Sequence, residues 1–111
     1  MATFALVLGS LGPATDASAA AGFFRYHYVN AAGKGVIGQL VNPRNDECIL
    51  IPQTAAGKPP VDGPQNITDR PVKLYLDDEC DGPSTELKAF EKRGADRSLK
   101  FRAVLFIEAT D

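Results

Sequence analysis

Wherever the chain shows a regular pattern, apolar and polar residues alternate with a period of two rather than 3.6. In Phe24-Arg25-Tyr26-His27-Tyr28 the aromatics fall on every second position, and in Val72-Lys73-Leu74-Tyr75-Leu76 the aliphatics do the same. That spacing predicts strands with one buried face. Val36 to Val41 and Cys48 to Ile51 are shorter apolar runs bounded by turn formers. The strongest predicted strand is Phe101 to Ile107, with Phe101, Ala103, Leu105 and Ile107 on one face. Only Glu86 to Arg93 has the composition of a helix, with Gly94 placed to cap it. Short strands with Gly-rich breaks and no long helical pattern predict an all-β sandwich or barrel.

One stretch interrupts the rhythm. Pro52 to Pro71 carries Pro59, Pro60 and Pro64 between its ends, with Gly57, Gly63 and scattered polar residues. It is too long for a hairpin connection and too poor in apolar groups to predict a strand. It reads as a stiff linker kept off the sheet edges, or as an exposed binding loop with Lys58 and Pro59 at its crest. Asn66-Ile67-Thr68 within it has the form of a glycosylation acceptor, a match that arises easily by chance.

The start of the chain changes the picture. Phe4 to Leu11 has the length and apolarity of a signal-peptide core, and Ala17-Ser18-Ala19 fits a cleavage site before Ala20. Residues 1–19 are therefore expected to be a signal peptide and 20–111 a single β-sandwich domain. The basic start is missing, since the first Lys or Arg is Arg25, which points to a start codon placed inside the true signal. A first strand or helix of the domain is the alternative. A membrane anchor is not expected, because Gly9, Gly12, Pro13 and Asp16 break the run well short of the roughly 18 apolar residues a span needs.

Export and the cysteines agree. Cys48 and Cys80 are the chain's two cysteines, and in an oxidising compartment they are expected to form one disulfide. A core of this size is marginal, and closing a loop of about 33 residues adds roughly 3–4 kcal/mol by chain-entropy arithmetic. No Cys-x-x-Cys motif suggests redox chemistry.

Charge excludes little but is informative. Removing Asp16 from the 14 acidic groups leaves 13 against 12 Lys and Arg, a formal charge of −1. That balance points to neither nucleic acid nor an anionic membrane as partner. Catalysis is also hard to assemble. His27 is the single histidine, on a strand whose aromatics alternate with it, so a surface or edge position is expected. Ser84 and Ser98 lack a nucleophile context, and no phosphate-binding glycine loop is present. No catalytic residue, cofactor or metal is expected. The acidic cluster Asp77-Asp78-Glu79-Cys80-Asp81-Gly82 imitates the start of an EF-hand loop, but Lys88 stands where its bidentate Glu belongs. It reads as a solvated hairpin tip.

The two halves share a pattern. Tyr75 is followed at +5 by Cys80 and at +7 by Gly82; Tyr26 is followed at +5 by Ala31 and at +7 by Gly33. This resembles the Greek-key signature of the βγ-crystallin family, aromatic-x-x-x-x-aromatic-x-Gly, with Cys80 and Ala31 in place of the second aromatic. The resemblance spans Phe23 to Ile107 in layout and implies a small Greek-key β-sandwich with two keys. Family Ca²⁺ sites use serine or threonine just before the last strand of a key. Here Lys100-Phe101-Arg102-Ala103 puts cations there, which argues against such a site in the second half. Secreted bacterial relatives include small peptidase inhibitors, so the resemblance implies a non-enzymatic inhibitor of an extracellular protease; the proline-rich loop, with Lys58 and Pro59, is then its expected contact. The alternative is a structural or envelope-associated module acting through surface contacts, for which Ca²⁺ stabilisation is the test and the acidic turn Asp77 to Asp81 the place to look. A secreted monomer is expected in either case.

Overall fold

The computed structural model describes residues 19–108. The expected signal peptide falls almost wholly outside them. The described residues form seven strands: β1 (Gly22–Val29), β2 (Gly35–Val41), β3 (Cys48–Leu50), β4 (Asp62–Thr68), β5 (Val72–Tyr75), β6 (Ser84–Leu87) and β7 (Ala103–Phe106). A 3-10 turn, Pro52–Gly57, lies between β3 and β4. None of the described helical segments is long and apolar enough to cross a membrane.

The strands build two antiparallel sheets, ordered β2-β1-β4 and β3-β7-β5-β6. In the first, β1 lies between its hairpin partner β2, with Phe23 opposite Val41 and Val29 opposite Gly35, and β4, with Gly22 opposite Thr68. In the second, Val72 of β5 faces Leu87 on one side and Phe106 on the other, and Cys48 of β3 faces Leu105. β3 comes from the first half of the chain but joins the sheet of the second. The segment around residues 91–93 does the reverse: Asn66 N–H donates to the Glu91 carbonyl at 2.9 Å and Arg93 N–H to the Pro64 carbonyl at 2.7 Å, along the outer edge of β4.

The alternation read in β1 places Phe24 and Tyr26 in the core and Tyr28 at its margin. Phe24 meets Phe101 and Phe106 edge-to-face, with ring centroids 5.8 and 5.6 Å apart. Each such contact adds roughly 0.5–1.5 kcal/mol beyond the area it buries. Val72, Leu74, Leu87 and Val104 complete the apolar layer with Ile51 and Val61. Gly38 of β2 is required by the same packing, since a Cβ there would lie 2.4 Å from the Tyr26 ring. Leu76, expected on the buried face, lies past the end of β5 and is exposed.

Three expectations are corrected. Pro52 to Pro71 is neither a linker nor one long loop, because it contains β4. That strand is invisible to apolar periodicity because its inward positions include Pro64, Asn66 and Thr68, all buried. Asn66 is stable there because its amide group is satisfied: Nδ2 donates to the Arg70 and Lys88 carbonyls at 2.8 and 2.9 Å, and Oδ1 accepts the Thr68 hydroxyl at 2.7 Å. A glycan cannot be attached to a side chain enclosed in this way. Secondly, Glu86 to Arg93 forms no helix; β6 runs through Leu87, whose burial against the core outweighs weak local helical preference. Lastly, the core face of the last strand is Val104 and Phe106, while Leu105 and Ile107 are half-buried. Phe101 is in the core as expected, and a bend at Arg102 shifts the alternation by one residue.

The disulfide is formed as expected. Cys48 at the start of β3 and Cys80 in the turn after β5 are bonded, with Cα atoms 5.8 Å apart. It ties the exchanged strand β3 to the sheet that receives it.

Candidate functional site

Lys58 and Pro59 follow the 3-10 turn between β3 and β4, both exposed. The chain reaches them through a tight turn that local chemistry dictates. Ile51 leads into Pro52, and the buried Thr54 folds the segment back, its N–H and hydroxyl donating to the Ile51 carbonyl at 2.9 and 2.8 Å. Ala56 and Gly57 then take left-handed conformations, φ 60° and 76°. Lys58 emerges extended, at φ −71° and ψ 161°.

Arg102 fixes this crest. Its Nη1 donates to the Lys58 carbonyl and its Nη2 to the Thr54 carbonyl, each at 2.6 Å, while Nε donates to Asp78 Oδ1 at 2.9 Å. A planar guanidinium with several fixed donors can hold two carbonyls and a carboxylate at once; an ammonium cannot reproduce that fork. The Arg102 side chain is 18 % exposed; its bond to Thr54 is partly buried, whereas those to Lys58 and Asp78 lie at the surface.

Behind the crest lies a cavity of about 310 Å³, lined among others by His27, Tyr28, Lys58, Pro60 and Lys100. A second hollow shares Tyr28, Val29, Gln53 and Lys58 with it, so the two adjoin as one groove lined in part by Lys58. Gln53 is anchored to the core, its Oε1 accepting the Tyr26 hydroxyl at 2.8 Å. Burial raises the Tyr26 phenol above its usual pKa, with Tyr28 adding to the effect and Gln53 opposing it.

Asp62 is the hub of the groove's inner wall. Its Oδ1 accepts from His27 Nδ1 at 2.9 Å and from Arg97 at 3.5 Å, and Oδ2 lies 3.4 Å from Lys100 Nζ. A carboxylate can only accept, so the imidazole proton sits on Nδ1. The remaining nitrogen, Nε2, faces the Gly35 backbone, where a Cβ would lie 2.7 Å away. No serine, threonine or cysteine lines the cavity.

The acidic turn is built around Asp77, whose carboxylate accepts from the N–H groups of Glu79, Asp81 and Gly82 at 3.1, 2.9 and 3.1 Å. These bonds, chiefly that from Asp81, hold its pKa below the ordinary carboxylate range. Cys80 takes the left-handed conformation in this turn, φ 57°, as Gly33 does in the other half at 79°. Among the described residues no cluster of His, Cys, Asp and Glu has the makings of a metal site. The cations noted in Lys100 to Ala103 do sit among oxygens: Lys100 Nζ also donates to the Arg97 carbonyl at 3.1 Å.

The sequence pointed to Lys58, Pro59 and the disulfide but not to Asp62 or Arg102. Their partners lie 24 to 48 residues away, and no local spacing signals such pairs. No family model, curated protein or solved structure matches the chain.

Proposed function

We propose that this is a small secreted, non-enzymatic binding protein that inhibits an extracellular peptidase through the Lys58–Pro59 crest. The observation that carries the proposal is the clamp on Lys58: an exposed, extended cationic residue whose carbonyl is held at 2.6 Å by a mostly buried arginine. A segment already fixed in extended form loses little entropy on entering an active-site cleft. Pro59 behind Lys58 would resist cleavage of that bond. The groove beneath the crest gives the contact a second wall. His27 supports a binding role over a catalytic one, because its Nε2 is turned against Gly35 and no serine, threonine or cysteine lines the cavity.

A βγ-crystallin-like Greek-key fold belongs to the same proposal. Each half contributes strands in the spatial order second, first, fourth, and the third segment of each half lies on the sheet of the other. That exchange supports the resemblance; the signature turns agree only in part, since Gly33 is left-handed at its signature position whereas in the second half Cys80 takes that conformation instead of Gly82. A Ca²⁺-stabilised structural module draws less support, since Asp77 is committed to three N–H groups and Asp78 to Arg102.

The test is titration of a panel of extracellular peptidases, including lysine-preferring ones, with wild type, Lys58→Ala and Arg102→Met. Stoichiometric inhibition that Lys58→Ala weakens at least tenfold, about 1.4 kcal/mol, is the expected result. Equal inhibition by all three proteins, or none by the wild type, overturns the proposal. Replacing Pro52 to Pro71 with a flexible linker is no test, because it removes β4.

A further inference from the structure

The described residues leave the two sheets with four lateral edges, and three are protected in recognisable ways. The outer edge of β4 is covered by residues 91–93, through the bonds from Asn66 and to Pro64. β3 is three residues long and pinned by the Cys48–Cys80 bridge. β6 carries Glu86 and follows Pro83. The fourth edge is β2, Gly35-Val36-Ile37-Gly38-Gln39-Leu40-Val41, seven residues without a charge or a proline and in unbroken register with β1.

The direction of its free groups follows from the hairpin. Asn30 N–H donates to the Lys34 carbonyl and Asn42 N–H to the Gly22 carbonyl, so the even positions of β2 point their N–H and C=O groups at β1. By the alternation of an antiparallel ladder, Gly35, Ile37, Gln39 and Val41 point theirs away from it. Ile37 and Val41 are also more than half exposed, at 54 % and 57 %. We propose that two copies of this chain pair through β2, antiparallel about Gly38, joining two three-stranded sheets into one of six strands.

The sequence of β2 suits itself as partner. In this register Ile37 stands opposite Gln39 of the second copy and Gly35 opposite its Val41. Each pairs outward-pointing groups with outward-pointing groups, for about eight main-chain hydrogen bonds. On the inner face Val36 meets Leu40 of the second copy, which closes the open flank of the core that Leu40 borders. At the centre two glycines approach at the narrow, non-hydrogen-bonded spacing without side chains to separate them. No charge is brought against a like charge, since Lys34 and Arg44 lie beyond the ends of the strand. The surface buried is at the low end for specific interfaces, so the affinity expected is micromolar, roughly 10–500 µM. This proposal is independent of peptidase inhibition and replaces the monomer expected from the sequence.

The experiment is sedimentation equilibrium over roughly 5 µM to 1 mM, bracketing that affinity, with hydrogen exchange followed at both extremes. Wild type should approach twice the monomer mass. Exchange at Ile37, Gln39 and Val41 should slow about tenfold on concentration, while even positions of β2 stay unchanged. Gln39→Pro removes one outward N–H without touching the β1 ladder, and Ile37→Lys places a charge on the edge; both should remain monomeric. A wild-type monomer at the highest concentration overturns the proposal. So does self-association with unchanged exchange at those three amides, or dimerisation of both variants as tight as wild type. Should a variant fail to fold, the wild-type exchange result alone decides. A monomer whose β2 amides are protected only by an added extended peptide would assign the edge to a different partner and equally overturn pairing between copies.

Discussion

Val61 and Phe101 exchange both of their main-chain hydrogen bonds, at 3.0 and 2.9 Å, and both side chains are buried. The pair stitches the two halves together where the chain enters the last strand of each. The next residue on either side is charged: Asp62 gathers His27, Arg97 and Lys100, while Arg102 gathers Asp78 and the carbonyls of Thr54 and Lys58. The candidate site is thus organised from two neighbouring points at the meeting of the halves.

Replacing Arg102 with Met should free the crest while sparing the fold. Two of its three charge-assisted bonds lie at the surface, so losing the set costs about 1–2 kcal/mol. Hydrogen exchange should accelerate from Thr54 to Lys58. Arg102→Lys should not restore it, because one ammonium cannot serve both carbonyls and Asp78. Urea unfolding and exchange on the three proteins check this.

Removing the disulfide with a Cys48→Ala, Cys80→Ala double variant should lower stability by about 3–4 kcal/mol, from the closure entropy of a loop of this length. The bridged residues are 32 apart in sequence. Reduction of wild type should give the same shift in chemical denaturation, and thiol titration before reduction should find no free thiol.

Asn66→Leu should be among the most damaging substitutions in the chain. It removes the two bonds from Asn66 Nδ2 to the Arg70 and Lys88 carbonyls and the two that Asn66 Oδ1 accepts from the Thr68 hydroxyl and N–H, at about 0.5–1.5 kcal/mol for each. Expression in a host that glycosylates Asn-x-Thr sites should give folded protein without sugar at Asn66, read by mass spectrometry. Any glycosylated fraction should be unfolded by circular dichroism.

Asp77 should make the acidic turn sensitive to low pH. Its pKa is lowered in the folded state, first by the Asp81 N–H. Its contribution is therefore fully present above the ordinary aspartate value near pH 3.9, and is lost as pH falls through the lower folded value. The amides of Glu79, Asp81 and Gly82 should shift together in that acid range by NMR, and Asp77→Ala should abolish the transition.

Much of the β architecture was legible because β1 and β5 alternate cleanly, and two cysteines leave one pairing. β4 was hidden for a physical reason: its interior positions are polar or proline residues that become acceptable only when distant carbonyls and the 91–93 segment satisfy them. The helix expected after Thr85 failed because burying Leu87 in a four-stranded sheet outweighs weak local preference. At the site, Lys58 stood out by composition, whereas the Asp62 and Arg102 hubs exist only through long-range contacts. Their charges carried no distinguishing mark in sequence.

The exchange of β3 and the 91–93 segment between sheets bears on how the protein can break. A cut near Asp69 would leave each fragment with a sheet whose outermost member belongs to the other fragment. Neither piece is then a smaller version of the whole, despite the repeat in the sequence. Partial unfolding of one half must expose the flank of the other, so the molecule should lose its structure in a single step. A protease that nicks this connection would meet an intact molecule until both halves let go at once.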